Sequence, residues 1–524
     1  MPENKTASGD RYLVLTTFIC GAIIMVVELL GSRVIGPPFG VSLFVWTSLI
    51  TVTLVSLALG YWIGGRVSDI KNSPAALFTI ILASGICLLF IPLIKGAIIE
   101  QTLKLGLRAG SLASSVILFG PPLFFLGMVA PYTVKLYMTD TEKVGKTVGW
   151  LYAISTCGSF LGTVLTGFLL IPNLGVNNII YLSSLILIAI SAGYWLIFSK
   201  KPYFMLIALL PIGLLLVPKE LPSIVRPDGT EVKMLINQDS AYGQIKVVDY
   251  QYGGNHLREF LLENMIQGAI DVNTGMSISK YTYYMEKLAL SYRPYAKKAL
   301  IIGLGSGIIP NRLLHEYGIQ TDVVEINQGV VDAARKYFNY DPAIPTYVED
   351  GRYFLKSVNT RYDIIMLDAF AGDTPPSHLI SLEAFQFIKK RLAQDGILLI
   401  NFVGSNMEED KLVPSSLYRT LKEVFPSVDV YLPGDYQTSK PGIYNISIVA
   451  GGAGVAPAGE TAMAPVYNDF REDVSGLLTR KAFYEKGPLV FTDDFNPIDF
   501  HDLKARERFR YNIISSSDRG IVID

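Results

Sequence analysis

The residues best suited to chemistry lie in a glycine-rich loop near the middle of the chain. The stretch "ALIIGLGSGIIPNRLL" (299–314) is an apolar run, then three glycines at alternate positions, then a helix-like pattern; the glycines are Gly303, Gly305 and Gly307. Glycines at a strand-to-helix turn let the backbone approach a ligand closely, and the following helix presents free N–H groups. This pattern predicts a nucleoside or nucleotide site.

Acidic residues follow the strands after this loop. Glu325 ends the next predicted strand, 22 residues after Gly303. Asp350 and Gly351 close another strand, in "EDG", and Asp368 follows the strand "YDIIML". Because ligands bind at the carboxyl ends of strands in open α/β sheets, these residues should meet at one edge. We expect Glu325 to hold the ribose hydroxyls and Asp350 to meet the adenine edge.

Alternating strand-like and helix-like segments position these residues. They are 298–302, 308–317, 321–325, 328–338, 345–348, 351–357, 362–367, 381–393 and 396–402. The alternation predicts a parallel sheet with crossover helices, in a Rossmann-like domain over 298–524. Before it, "GQIKVVDY" and "HLREFLLE" alternate as two strands, and "QYGGN" joins them as a hairpin. We therefore predict a small β subdomain and its connection at 241–297.

The N-terminal part is much more apolar than a soluble enzyme. Hydrophobic residues make up 50% of the chain and charged residues 17%, and most of the hydrophobicity precedes residue 218. Most of the apolar stretches reach the roughly 20 residues that a bilayer crossing needs. They are 12–35, 43–64, 75–95, 112–138, 147–171, 177–198 and 203–217. We predict a multi-pass helical bundle of about seven spans over 1–217, and a linker rich in proline over 218–240.

Other features narrow the function class. A net charge of -1 gives no reason to expect a nucleic-acid partner. The three cysteines lie in apolar segments without metal-type spacing, so we expect no metal site and no disulfide. Glu28 inside the first span suggests either a polar cavity or a bond to a neighbouring helix. Gly158 and Gly162 form a G-x-x-x-G pair that predicts close helix packing.

These motifs resemble the spermidine synthase (polyamine aminopropyltransferase) family over about residues 235–500. The matching stretches are "LENMIQ", "YMEKL", "IIGLGSG", "VVEIN", "EDGRYFL" and "YDIIMLDAF…PPSHL". The membrane part is similar to that of bacterial fused forms, through "ELLGSRVIGPPFG" and "LALGYWIGGRVSD".

The resemblance implies a reaction and a set of roles. The family transfers an aminopropyl group from decarboxylated S-adenosylmethionine to an amine such as putrescine, releasing 5′-methylthioadenosine without a prosthetic group. By this resemblance Gln267 and Tyr284 line the donor and acceptor site, Glu325 holds the ribose and Asp350 the adenine. It also implies a homodimer.

Two positions depart from the family pattern. Ser306 stands where the family has an Asp that holds the donor's terminal ammonium. Ala371 stands at the place of the second Asp of D-S-x-D-P, which helps to deprotonate the attacking amine, and Asp373 lies two residues further on. Without an acid at 306, a donor that keeps its carboxylate meets no repulsion there, so intact S-adenosylmethionine becomes an expected substrate.

Three reactions therefore stay open from the sequence. Asp368 and Asp373 can share the activation of an external amine for aminopropyl transfer. The donor's own carboxylate or amine can attack its γ-carbon, giving methylthioadenosine and a lactone or small ring. Methyl transfer is the third, since the same nucleotide fold supports it. A different class, a polyamine transporter or sensor with a nucleoside-binding domain, also fits.

The location follows from charge and from the donor. Lys and Arg cluster before the first span and after the second, fourth and sixth, which favours a cytoplasmic N-terminus. Seven spans would then put the C-terminal part outside. Because S-adenosylmethionine is a cytoplasmic metabolite, we nevertheless expect a cell-membrane protein whose catalytic domain is cytoplasmic. Either the N-terminus is then outside with seven spans, or one of the seven stretches is not a simple crossing.

Overall fold

The chain divides near residue 220 into two units. A computed structural model describes residues 7–40, 43–138, 144–200, 207, 209–216, 221–370, 375–405, 407–433, 443–455, 457, 478–481 and 487–516. The first unit comprises residues 1–220 with 239–241 and 522–524, and the second comprises 221–238 and 242–521.

The first unit is helical. Its elements are α1 (Ala7–Phe39), α2 (Leu43–Ile70), α3 (Pro74–Leu103), α4 (Gly106–Tyr137), α5 (Val144–Leu165), a π-helical turn (Thr166–Leu170), α6 (Ile171–Leu174), α7 (Val176–Ile197) and α8 (Leu209–Leu216). In the described part of the chain, six helical stretches are long and apolar enough to cross a membrane, with α5 to α6 counted as one. The predicted seventh stretch, 203–217, lies partly outside the described residues. Its described helix, α8, has 8 residues, fewer than the roughly 20 of a crossing.

The G-x-x-x-G pair lies at a close contact between α1 and α5. A Cβ atom at Gly158 would lie 2.0 Å from the carbonyl oxygen of Phe18, and one at Gly162 would lie 2.5 Å from that of Ala22. The Ser159 hydroxyl donates a hydrogen bond of 3.0 Å to the carbonyl oxygen of Gly21. The predicted close packing is therefore confirmed, because no side chain fits between these backbones.

The second unit begins with a five-stranded sheet in the order β1-β2-β3-β4-β5. Its strands are β1 (Ser223–Val225), β2 (Glu231–Ser240), β3 (Gly243–Tyr252), β4 (Asn255–Leu262) and β5 (Met265–Asp271). The hairpin of β3 and β4 turns at Gly253 and Gly254, both at positive φ, as the sequence predicts.

The predicted linker at 218–240 differs from the structure, because most of its described residues form β1 and β2. Val232 and Met234 are buried while the neighbouring Glu231 and Lys233 are exposed. This alternation is that of a strand with one face on a core. Pro222 directly precedes β1, and Pro227 with Asp228-Gly229 lies in the short turn that joins β1 and β2.

The following α/β domain has the predicted Rossmann-like architecture, a parallel sheet with crossover helices. Its sheet has the order β13-β11-β12-β10-β9-β6-β7-β8, parallel from β10 to β8 and antiparallel from β10 to β13. The strands are β6 (Lys298–Ile302), β7 (Gln320–Glu325), β8 (Thr346–Val348), β9 (Tyr362–Leu367), β10 (Leu392–Ser405), β11 (Ser427–Pro433), β12 (Ile443–Gly451) and β13 (Leu478–Lys481). The helices are α9 (Lys280–Tyr292), α10 (Ile308–His315), α11 (Gln328–Tyr337), α12 (Gly351–Ser357), α13 (Leu382–Arg391), α14 (Leu412–Lys422), α15 (Ile498–His501) and α16 (Leu503–Ser516).

The neighbours of β6 decide where a ligand can bind. β6 pairs in parallel with β7 on one side and with β9 on the other. The three strands therefore end at the same edge of the sheet, and the residues after them lie close together. Apolar side chains cover both faces, among them Leu300, Ile302 and Ile365 on one face and Ile301, Val323 and Met366 on the other.

Candidate active site

The glycine loop after β6 has the backbone that only glycine adopts readily. Gly303, Gly305 and Gly307 have φ of 96°, 54° and 77°. A Cβ atom at Gly303 would lie 2.2 Å from the carbonyl oxygen of Asp368, and one at Gly305 would lie 3.0 Å from that of Gln267. The loop thus packs directly against the backbone after β9 and against β5.

A cavity of about 310 Å³ opens beside this loop. The ends of β6, β7 and β9, the start of α12 and residues 376–379 line it. Seven predicted site residues are among the lining residues: Gln267, Gly303, Gly305, Glu325, Asp350, Gly351 and Asp368. The structure therefore brings the strand-end acids and the glycine loop together around one space, which we call the nucleoside cavity.

Glu325 is held in place by backbone groups on both sides. Its Oε2 accepts a hydrogen bond of 3.0 Å from the N–H of Leu304, and its Oε1 accepts one of 2.9 Å from the N–H of Asn327. Burial raises the pKa of Glu325, while these hydrogen bonds oppose the rise. A carboxylate fixed in this way keeps lone pairs directed to the cavity, where vicinal hydroxyls can donate.

Asp350 caps a helix and contacts a histidine. Its Oδ1 accepts a hydrogen bond of 2.9 Å from the N–H of Tyr353 at the start of α12, and its Oδ2 lies 2.9 Å from His378 Nε2. Burial raises the pKa of Asp350, but the Tyr353 N–H and His378 outweigh it and hold the pKa below its usual value. An ionised Asp350 can accept a hydrogen bond from an exocyclic amino group and repels a carbonyl oxygen at the same place.

A second cavity, of about 340 Å³, lies on the other side of Asp368. Residues from the start of β5, the start of α9, β10, β12 and α16 line it, including the predicted Tyr284. Four described residues line both cavities: Gln267, Gly305, Asp368 and Phe370. A ligand that fills the first cavity can therefore extend past Asp368 into the second.

Asp368 lies at the junction and is the carboxylate best placed to accept a proton. Asn401 Nδ2 donates a hydrogen bond of 2.7 Å to its Oδ1, and the Tyr281 hydroxyl also donates to it. Burial raises the pKa of Asp368 to about 6, and the two hydrogen bonds oppose the rise. A pKa near neutrality suits a group that must alternate between base and acid.

Sequence reasoning missed three residues of this network. Tyr281 lies three residues before Tyr284 on α9, so both face the same cavity, and its hydroxyl is 3.4 Å from the carbonyl oxygen of Gln267. Asn445 on β12 donates a hydrogen bond of 2.9 Å to Asn401 on β10. Asn401 interrupts the apolar run "ILLINFV" of β10, and Asn445 lies between Tyr444 and Ile446 in β12; these polar residues among apolar ones were the available signal.

The other predicted residues have different surroundings. Ser306 is buried, and its Oγ would lie 2.3 Å from a Cβ atom at Gly268, so its side chain faces β5. A Cβ atom at Gly307 would meet the ring of Tyr340 at 2.8 Å. Neither Ser306 nor Gly307 lines either of these two cavities. Ala371 and Asp373 lie outside the described residues.

The parallel sheet, the glycine loop at the end of β6 and the acid at the end of β7 define a Rossmann-like domain. Residues 279–433 match the spermine/spermidine synthase domain. The C-terminal unit thus carries a domain of the spermine/spermidine synthase family, as the resemblance in the sequence predicts.

Individual relatives match different shares of the chain. A polyamine aminopropyltransferase of Vibrio vulnificus is 28% identical over 219 residues, which are 41% of this chain and 72% of that protein. An N-terminal histidine N-methyltransferase of Emericella nidulans is 25% identical over 421 residues, 73% of this chain and 72% of that protein. A crystal structure of a probable spermidine synthase from Corynebacterium glutamicum covers 50% of this chain and 96% of its own, with 16% identity and a TM-score of 0.40.

Proposed function

We propose that this chain is a membrane-bound transferase that moves an aminopropyl group from a sulfonium nucleoside to an amine and releases 5′-methylthioadenosine. One observation carries the proposal: Asp368, with a pKa raised to about 6, stands between the nucleoside cavity and the second cavity. The matching family domain and the aminopropyltransferase relative support the same reaction.

The chemistry needs few protein groups. The amine nitrogen attacks the carbon beside the sulfonium in line, a C–N bond forms, the C–S bond breaks, and its electron pair neutralises the sulfur. Because the leaving thioether is neutral, the main task is to remove a proton from the ammonium and hold the nitrogen about 3 Å from the carbon. Asp368 takes that proton, while Glu325 and Asp350 hold the ribose and adenine.

The remaining predicted residues complete the assignment. Gln267 lines both cavities and is placed to contact the transferred group, and Tyr284 lines the acceptor side. Asp373 remains the proposed second acid. The second cavity also holds aromatic side chains, among them Tyr281, Tyr444 and Phe509, which can pack on the carbon chain of an amine or shield its cationic end.

The acid limb of the pH–rate profile tests the role of Asp368. Only its carboxylate form accepts a proton, so kcat/KM should fall as the pH drops through about 6. The Tyr281 hydrogen bond stabilises the charged form, so Tyr281→Phe should raise this pKa and move the limb to higher pH. A limb that Tyr281→Phe leaves in place would assign the titration to another group.

The proposal also specifies which donor the protein binds. Ser306 is neutral, and it neighbours Gly305 at the junction of the cavities. We expect the protein to bind intact S-adenosylmethionine at least as well as the decarboxylated form, because no acid at 306 repels the donor's carboxylate. Ser306→Asp should shift the ratio of the two dissociation constants by about tenfold or more towards the decarboxylated donor. Isothermal titration with both donors measures this ratio.

Ser306→Asn is the matched control for that measurement, since it has the size of Asp without its charge. An equal shift with Asn would assign the effect to crowding against Gly268. A wild-type protein with a clear preference for the decarboxylated donor would contradict the proposal on the donor.

Methyl transfer to an amine is a second candidate, and one specific observation favours it. The Emericella nidulans N-methyltransferase aligns over 73% of this chain, whereas the Vibrio vulnificus aminopropyltransferase aligns over 41%. The same cavities and the same base serve both reactions, which differ in the carbon that the amine attacks. Attack at the methyl carbon leaves S-adenosylhomocysteine instead of methylthioadenosine.

Chromatography of the nucleoside products separates the candidates. The purified protein is incubated with S-adenosylmethionine or its decarboxylated form, each with and without an amine such as putrescine. Methylthioadenosine that depends on the amine supports aminopropyl transfer, and S-adenosylhomocysteine supports methyl transfer. Methylthioadenosine without any amine indicates intramolecular attack, and the absence of all products leaves a binding protein of the transporter or sensor class.

The location completes the proposal. We propose six spans with a cytoplasmic N-terminus, so that the chain after residue 220 lies on the cytoplasmic side, where S-adenosylmethionine is present; the six long apolar helices and the charge bias support this. This assignment requires that 203–217 does not cross the bilayer. The homodimer implied by the resemblance remains part of the proposal.

A further inference from the structure

A short acidic segment near the C-terminus, "FTDDFNP" (491–497), contacts the wall of the nucleoside cavity. The wall in question is residues 376–379, of which Pro376, His378 and Leu379 line the cavity. Asn496 Nδ2 donates a hydrogen bond of 3.0 Å to the carbonyl oxygen of Ser377. The ring of Phe491 is buried in the core of the domain.

Asp493 binds a guanidinium group and a hydroxyl group that hold this wall in place. Its carboxylate accepts two hydrogen bonds from the Arg352 guanidinium, and its Oδ1 also accepts one of 2.6 Å from the Ser381 hydroxyl. Glu383 fixes the Asp493 backbone, because Glu383 Oε2 accepts a hydrogen bond of 2.9 Å from the Asp493 N–H. Two parallel bonds between a guanidinium and a carboxylate define both distance and orientation.

Arg352 transmits this arrangement to the cavity. Its Nη1 donates a hydrogen bond of 3.0 Å to the carbonyl oxygen of His378. Arg352 is also the second residue of α12, directly after Asp350 and Gly351, which line the same cavity. One side chain therefore connects the backbone of His378 to the helix that Asp350 caps, and Asp493 determines where that side chain lies.

We propose that Asp493 is a positioning residue for recognition of the base. It fixes the side chains of Arg352 and Ser381, and this keeps the wall of residues 376–379 in the position at which the His378 side chain contacts Asp350. Asp493 does not line the cavity and contacts no ligand there; it acts through the arrangement of the wall. The inference rests on the proposed function, since it takes the nucleoside cavity as the donor site.

The inference predicts that loss of Asp493 weakens the contacts to the base of the nucleoside and leaves the contacts to the ribose unchanged. Without the carboxylate, Arg352 loses its paired acceptor, and His378 and Asp350 no longer keep a fixed separation. The 6-amino group of adenine should then lose its acceptor geometry, while the ribose end, held by Glu325 after β7, keeps its contacts. A 6-oxo base has no amino group to donate to Asp350, so its binding should change little.

Binding of two nucleosides to the full-length protein tests this. The probes are 5′-methylthioadenosine and 5′-methylthioinosine, which differ in the 6-amino and 6-oxo groups. Asp493→Asn should weaken methylthioadenosine binding by about tenfold, as expected for the loss of one hydrogen bond to a charged group, and should lower the adenine preference by a similar factor. Asp494→Asn is the matched control, because Asp494 is the adjacent exposed acid and makes no hydrogen bond or ion pair with the described residues.

Each outcome decides a separate point. An unchanged preference in Asp493→Asn, or an equal loss for both nucleosides, would overturn the positioning role and leave a purely structural one. The same change in Asp494→Asn would overturn it as well, because it would reflect net charge. A wild-type protein that binds neither nucleoside would overturn the proposed function, and the inference with it.

Discussion

Replacing Asp368 by asparagine should lower kcat by about 10²–10⁴-fold, the range that a positioned general base contributes, with nucleoside binding nearly unchanged. Asparagine keeps the size of the side chain and can still accept from Asn401, whose Nδ2 lies 2.7 Å from Asp368 Oδ1. It cannot take a proton from the attacking amine. Single-turnover rates of nucleoside release and calorimetric binding of methylthioadenosine, measured on the same preparation, separate the two effects.

The exposed Asp395 at a turn-like part of β10 provides the control, because Asp395→Asn makes the same chemical change away from both cavities. A fall in binding that matches the fall in kcat would show that Asp368 holds the donor instead of activating the acceptor. Full activity in Asp368→Asn would transfer the role of base to another acid, for which Asp373 is the first candidate.

Glu325→Ala should weaken binding of the nucleoside by about 10- to 100-fold, since hydrogen bonds to a charged acceptor contribute about 1.5–3 kcal/mol. The loss has two physical origins. The ribose hydroxyls lose their acceptor, and the N–H groups of Leu304 and Asn327 lose the carboxylate that ties the glycine loop to the end of β7.

A thermodynamic cycle separates these origins. Methylthioadenosine and its 2′,3′-dideoxy analogue are titrated into wild-type protein and into Glu325→Ala. If Glu325 acts by contact with the ribose, the dideoxy analogue should bind both proteins with similar weak affinity. If the analogue loses as much affinity as the parent nucleoside on substitution, the residue acts by ordering the loop.

The sequence predicts the positions of this site well because the pattern is local. Short local patterns of apolar and turn residues predict β6, α12 and β9 with the observed bounds, 298–302, 351–357 and 362–367. In a parallel sheet the ends of neighbouring strands must meet, so Glu325 and Asp368 had to approach the same cavity once β6 was placed between them.

Other features depend on contacts between distant parts of the chain. The direction of Ser306 is set by Gly268 on β5, 38 residues earlier, and the loop pattern alone does not contain it. The contact of Asp493 with Arg352 spans 141 residues. Strands β1 and β2 were missed because proline and Asp-Gly signals outweighed a short alternation, although these residues mark the ends of the strands and the turn between them.

The two cavities are built from largely separate segments, and this has an evolutionary consequence. The ends of β6 and β7, with α12, supply the nucleoside cavity, whereas α9, β10, β12 and α16 supply much of the second cavity. Under the proposed function, substitutions in the second set can change the acceptor while the lining of the nucleoside cavity stays the same. Changes in a few segments can therefore alter the acceptor specificity of such an enzyme. The four residues that line both cavities limit these changes, because a substitution there also alters the nucleoside cavity.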